Sequence, residues 1–190
     1  MNHRLALLSL ALLSGLLTLG GCAGGTLAVR STGEEAAELT GNFTTAVYSY
    51  DDLNNLDVLL IEGEPESPTQ AVHIRMYWQP RAGRTPIDVR ATNATINYVV
   101  FTGQGAGVYS GAGFLFPKNN PGGGTFTASL RSTAVRLLDA SGNFADRLGR
   151  ADATGSFSAK RDDDATQRLL RTVEVYLRNQ LGYPRFVMAR

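Results

Sequence analysis

The side chains best suited to chemistry in this 190-residue chain are one cysteine and two histidines. The cysteine is Cys22, which follows Leu19-Gly20-Gly21, and the histidines are His3 and His73. A cysteine thiolate is a nucleophile, and a histidine imidazole exchanges protons near neutral pH. Because the chain has only one cysteine and two histidines, the location of each one determines whether it can take part in catalysis or metal binding.

The first 21 residues have the three parts of a secretory signal. Arg4 gives a positive start, residues 5–19 are almost continuously apolar, and two glycines precede Cys22. About 15 apolar residues fall short of the roughly 20 that a helix needs to span a bilayer. The sequence therefore predicts a cleaved signal peptide over residues 1–21, and His3 leaves with it.

The run Leu19-Gly20-Gly21-Cys22 resembles the lipobox of bacterial lipoproteins: a branched apolar residue, two small residues, then cysteine. In that family the thiol is diacylated, the chain is cut before the cysteine, and the new amino group is acylated. The resemblance implies cleavage between Gly21 and Cys22 and lipidation of Cys22. It also implies that the protein is anchored to a membrane through several acyl chains. It also implies a bacterial cell envelope, and Ala23 predicts the outer membrane, facing the periplasm. The alternative is an ordinary signal peptide cut near Ala23, with Cys22 discarded.

Composition narrows the function of the mature chain. The full sequence carries 18 Lys and Arg against 17 Asp and Glu, and removal of Arg4 with the signal leaves no net charge. Nucleic-acid binders show a basic excess, so no nucleic-acid partner is expected. Once Cys22 is acylated, no thiol remains for disulfides, metal binding or nucleophilic catalysis. We expect no cofactor and no metal.

His73 and a glycine-rich stretch are weaker candidates for chemistry. His73 suits a Ser–His–Asp arrangement, but no G-x-S-x-G elbow accompanies it, and an exposed or hydrogen-bonded strand histidine is the simpler interpretation. Residues 103–107 lack the third glycine of G-x-G-x-x-G, and no helix follows them. We predict a hairpin turn there and a twisted strand that backbone or an aromatic ring approaches closely.

Two charged clusters could bind ions. Residues 51–57 contain three Asp and two Asn, whose oxygens suit Ca²⁺, but the spacing fits no calcium loop and favours a turn. Arg81, Arg84 and Arg90 surround another predicted turn, where they could hold an anionic ligand. A solvated loop is the alternative for these arginines.

Strands are the elements that would position these residues. Thr and Ser recur beside Val, Ile, Phe and Tyr, a mixture typical of strands. Apolar and polar residues alternate most regularly over residues 71–79. Further strands are predicted over residues 39–50, 58–61, 95–102, 125–138 and 153–160. Residues 22–38 are predicted to be the lipidated cysteine and a tether, with a strand at 27–29 as the alternative.

One helix is predicted, over about residues 163–181. Asp162-Asp163-Asp164 offers an N-cap, leucines follow on one face, and Gly182 and Pro184 end the helix. Its apolar face is expected to pack on the sheet, and a membrane surface is the alternative. Residues 39–190 thus form one mainly β domain: an antiparallel sandwich or barrel of roughly eight strands with a C-terminal amphipathic helix.

Three functions fit these features. The first is a non-catalytic envelope lipoprotein that binds another envelope protein or component, or has a structural role. The second is a carrier of a small apolar ligand: Gly41-Asn42-Phe43, with a helix after the last strand, resembles the lipocalin pattern, in which Trp stands in place of Phe43. The third, disfavoured by the missing motifs, is a hydrolase with paired carboxylates. A closed apolar cavity would favour the carrier, a packed two-sheet core the interaction module, and a cleft with paired acids the enzyme.

Overall fold

A computed structural model describes residues 23–34, 36–77, 92–103, 105–120 and 124–184. Within them the chain is mainly β and ends in one helix, which confirms the predicted fold class, with nine strands instead of eight. The signal peptide, Gly21, Cys22 and the three arginines Arg81, Arg84 and Arg90 lie outside the described residues. The strands are β1 (Gly24–Ser31), β2 (Glu38–Phe43), β3 (Thr45–Tyr50), β4 (Leu56–Glu64), β5 (Ser67–Met76), β6 (Ala94–Thr102), β7 (Gly105–Pro117), β8 (Thr125–Ala140) and β9 (Arg150–Arg161), followed by α1 (Asp163–Leu181).

Strands β3 to β9 form a closed ring. Each consecutive pair from β3 to β8 is antiparallel, and so is the β8–β9 pair. Strand β9 then returns to β3 in two parallel pairs, Val47 with Lys160 and Tyr48 with Arg161. Because β9 pairs with β8 on one side and with β3 on the other, these seven strands close into a barrel.

Strand β1 shows that the predicted tether over residues 22–38 is wrong for most of its length. Gly24–Ser31 pairs with eight residues of β9 on one side and six of β2 on the other. Leu27 and Val29 are fully buried because every second side chain of a strand points to the same face, here the barrel interior. The segment is not an edge strand either, since β1 lies between β2 and β9.

The single strand predicted over residues 39–50 is divided at Thr44. Before Thr44 the chain forms β2, which pairs with β1. After Thr44 it forms β3, which pairs with β4. The Thr44 backbone N–H donates to the Ile61 carbonyl at 3.2 Å, where the chain changes neighbours. The bend makes room for β1 beside β9. The hairpin predicted around residues 51–57 is confirmed, because β3 and β4 are antiparallel neighbours.

Helix α1 packs on the outside of the barrel, as predicted. Asp162 caps it by accepting from the Ala165 backbone N–H at 2.8 Å, and Gly182 ends it with a left-handed φ of 85°. Its apolar face, with Val173 and Leu177, contacts outward residues of β4 to β7 such as Val99. This contact explains why both faces of β6 are apolar.

The barrel has two distinct ends. Gly24, at the start of β1, pairs with Ser158 near the end of β9; we call this the lower end. Ser31 pairs with Ala151 near the start of β9, at the upper end. The turn at residues 65–66 and the loop at 141–149 also lie at the upper end. Among the described residues, no helix is long and apolar enough to cross a bilayer.

Candidate functional site

Aromatic side chains pack inside the barrel, from its middle to its lower end. Tyr48, Tyr98 and Phe126 are fully buried. The Tyr48 and Phe126 rings meet edge to face with centroids 5.8 Å apart, and the Phe43 and Tyr98 rings do so at 6.3 Å. Phe126 also contacts Phe157 at 5.9 Å. Such pairs add to the stabilisation from burial, so this part of the barrel interior is packed.

A cleft of about 820 Å³ lies at the upper end. Three segments form its walls: residues 37–39 before and within β2, residues of β6 and the turn after it (Val100, Thr102 and Gly103), and five residues of the loop between β8 and β9 (Asn143, Phe144, Ala145, Arg147 and Leu148). Tyr109 of β7 completes the lining. Small-molecule sites in proteins are concave and usually occupy about 300–1,000 Å³, so the cleft has a suitable size.

The loop at 141–149 is tied to the barrel through Asp146. Its Oδ1 accepts from the Tyr109 hydroxyl at 2.8 Å, the Gly149 backbone N–H at 3.0 Å and the Leu148 backbone N–H at 3.1 Å. Burial alone would raise the pKa of Asp146, but these three hydrogen bonds outweigh it and hold that pKa below its ordinary value. Burial, with the bond to Asp146, raises the pKa of Tyr109. These hydrogen bonds therefore fix the conformation of the loop and hold it against β7 at the upper end of the barrel.

Phe144 seals the same loop against β7. Its ring lies 6.3 Å from that of Tyr109 and covers Gly107, where an added Cβ would overlap the phenyl ring. This confirms the prediction that an aromatic ring closely approaches the glycine-rich stretch. Leu148 follows, 5 % exposed, and joins the barrel core.

The cleft combines an apolar wall with a few polar groups. Glu38 is already paired, since it accepts from Arg30 Nη2 at 3.1 Å. Arg147 has no ion pair with any residue of the described ranges, and the side chain of Asn143 has no hydrogen bond within them. Apolar lining comes from Ala37, Leu39, Val100, Phe144, Ala145 and Leu148.

No protein-family model, curated protein or solved structure matches this chain. Its own residues are thus the basis for interpreting the cleft. None of these lining side chains was singled out from the sequence as a site residue. Glu38 and Tyr109 are 71 positions apart, and their strands are linked through β1, β9 and β8.

His73 lies away from the cleft, on the outer face of β5. Its Nε2 is 2.7 Å from Asp57 Oδ1. Arg75, two residues along, has Nη1 3.8 Å from Asp57 Oδ2 and also forms an ion pair with Asp51. This agrees with the predicted hydrogen-bonded strand histidine.

Asp51 organises the turn that was weighed as a calcium site. Its Oδ1 accepts the backbone N–H groups of Leu53 at 2.9 Å and Asn55 at 2.8 Å, and its Oδ2 accepts from Asn55 Nδ2 at 2.7 Å. Burial would raise the pKa of Asp51, but these bonds and the Arg75 charge hold it below its ordinary value. The described residues contain no group of three or more His, Cys, Asp or Glu side chains arranged for a metal.

Replacement of Arg75 by methionine is expected to destabilise the barrel by about 2 kcal/mol. The variant leaves Asp51 and Asp57 partly buried without their shared cation. Chemical unfolding in urea, followed by circular dichroism, measures the change. Arg136→Met, at an exposed position on β8, serves as the control and should lie within about 0.5 kcal/mol of the wild type. Equal losses in the two variants would contradict the prediction.

Proposed function

We propose that this protein is a lipid-anchored envelope lipoprotein that holds a small, partly apolar ligand in the upper cleft of its barrel. The observation that carries the proposal is the cleft itself: it measures about 820 Å³, and the loop that forms one of its walls is held by the Tyr109–Asp146 hydrogen bond. A preformed apolar concavity with few polar groups is the usual form of a small-molecule site.

The position of β1 supports an orientation for this anchored barrel. Cys22 precedes Gly24 by two positions, so an acylated Cys22 would keep the lower end close to the bilayer. The eight residues of β1 then lead toward the upper end over about 23 Å, at roughly 3.3 Å per residue. The cleft would face away from the membrane, into the periplasm if the anchor lies in the outer membrane.

Binding is favoured over hydrolysis because the carboxylates near the cleft are already engaged. Glu38 is paired with Arg30, and Asp146 holds the loop through three hydrogen bonds. A glycosidase pair needs one carboxylic acid and one carboxylate facing the same substrate.

Obstruction of the cleft tests the proposal. Ala145 is an exposed lining residue, so Ala145→Trp should fill the space while leaving the barrel folded. We expect 1-octanol to bind the wild-type protein in nanodiscs, measured by isothermal titration calorimetry against empty nanodiscs. The variant should bind at least about tenfold more weakly, a loss of about 1.4 kcal/mol.

The matched control is Leu138→Trp, which adds the same ring at a position 49 % exposed on β8. It should bind octanol as the wild type does. If octanol fails to bind the wild type, or binds all three proteins equally, the cleft is not the ligand site and the proposed function is wrong.

A further inference from the structure

We propose that the ligand of the upper cleft is an anionic amphiphile: a small molecule with a carboxylate or phosphate head and an apolar body. This inference rests on the proposed function, because it names the chemical class of the ligand in the same cleft. Three observations support it: the balance of charge around the cleft, the hydrogen-bond donors at its rim, and the apolar side chains that line the same cleft.

The charge balance leaves one positive group at the cleft. The negative charge of Glu38 is compensated by Arg30, with 3.1 Å between Nη2 and Oε1. Asp146 points into its own loop and to Tyr109, and it does not line the cleft. Arg147 does line it and has no ion pair within the described part of the chain. A ligand with a negative charge would therefore meet an uncompensated cation.

The donors at the rim suit an oxyanion. Arg147 presents a planar guanidinium, whose fork of N–H groups matches the paired oxygens of carboxylate and phosphate. Asn143, four residues earlier on the same loop, adds an amide with two N–H donors and makes no hydrogen bond with the described residues. The two side chains lie on exposed positions of a loop that Asp146 holds in place.

The same cleft also has apolar lining, from two strands and from the loop that carries Arg147. Leu39 and Val100 come from β2 and β6, and Leu148 reaches into the barrel core. Phe144 presents its ring beside them. A ligand could thus keep its charged head at the solvent-exposed rim while its apolar body lies against these side chains, and both ends would be satisfied.

A series of ligands with one chain length and different heads tests the inference. Octanoate, 1-octanol and octylammonium share the same apolar body and carry a negative, neutral or positive head. Using the full protein in nanodiscs, we expect octanoate to bind about tenfold more tightly than 1-octanol, and octylammonium more weakly than both. Octyl phosphate should bind at least as tightly as octanoate, whereas acetate and inorganic phosphate, which lack the chain, should show no measurable binding.

The variant Arg147→Gln should remove the preference, so that octanoate and 1-octanol bind equally well. Arg136→Gln, an exposed arginine on the outer face of β8, is the matched control and should keep the tenfold difference. If 1-octanol binds as tightly as octanoate, or Arg147→Gln leaves the preference unchanged, the anionic class is wrong while the apolar site stands. If none of the eight-carbon ligands binds, the proposed function fails as well.

Discussion

Substitution of Cys22 by serine is expected to move this protein completely from the membrane fraction to the soluble or unprocessed fraction. A serine hydroxyl lacks the nucleophilic thiolate that would accept the diacylglyceryl group. Stable anchoring needs two or more buried chains, and the variant would have none. The measurement is the intact mass of the N-terminal peptide of the mature protein, together with membrane fractionation of wild type and variant.

Ala23→Ser is the matched control for this experiment. It changes the adjacent residue, keeps the thiol and should leave both the acylated mass and the membrane fraction unchanged. An unmodified wild-type chain that begins at Ala23 or later would show that the lipobox interpretation is wrong. In that case the protein would be a freely diffusing secreted barrel, and the binding proposals for its upper cleft would still stand.

The substitution Gly111→Ala is expected to cost about 3 kcal/mol of unfolding free energy. Gly111 lies on β7 beside β8, where an added Cβ would overlap the carbonyl oxygen of Ala134 and lie 2.8 Å from its carbonyl carbon. The obstacle is backbone, so a rotamer change cannot relieve it. Strand β8 cannot easily withdraw either, because Ala134 and Val135 are paired on their other side with Asp152 and Ala151 of β9.

Urea unfolding of Gly111→Ala, beside Gly142→Ala, measures this effect. Gly142 lies in the loop after β8, with no atom within 4 Å of an added Cβ. Its replacement should change stability by less than about 1 kcal/mol, since the new methyl group meets open space. Equal unfolding midpoints for the two variants would mean that β7 and β8 can separate at this point without loss.

The sequence predicted the strand and the helix that have clear local signals, namely alternating apolar residues and capping residues. The alternation around Val72 and Ile74 identified β5, because one face of that strand lies in the apolar core and the other carries the polar His73 and Arg75. The helix was predicted with its observed bounds, since Asp162 and Gly182 carry strong capping signals at its two ends. The strand predicted over residues 125–138 is present as β8, which has a register shift between Leu130 and Thr133.

Features that depend on distant partners were missed. Strand β1 contains Gly24, Gly25 and Arg30, which favour a linker by composition, and its stability comes from pairing with residues of β9 that are at least 120 positions away. The Tyr109–Asp146 bond likewise joins residues 37 positions apart. The residues around Tyr109 do not indicate that Asp146 is its partner, and those around Asp146 do not indicate Tyr109. Gly107 did give a local signal for the contact between the loop and β7. A glycine leaves room for an aromatic ring, here that of Phe144, where a side chain would otherwise lie.

The ring closes only when the last strand is in place, and this has a consequence for folding. Strand β9 supplies neighbours to β1, β3 and β8, so all three keep an open side until residues 150–161 are available. Contacts between residues so far apart in sequence make folding slow, because a long loop must close before they form. The barrel therefore cannot close until nearly all of the chain has been synthesised.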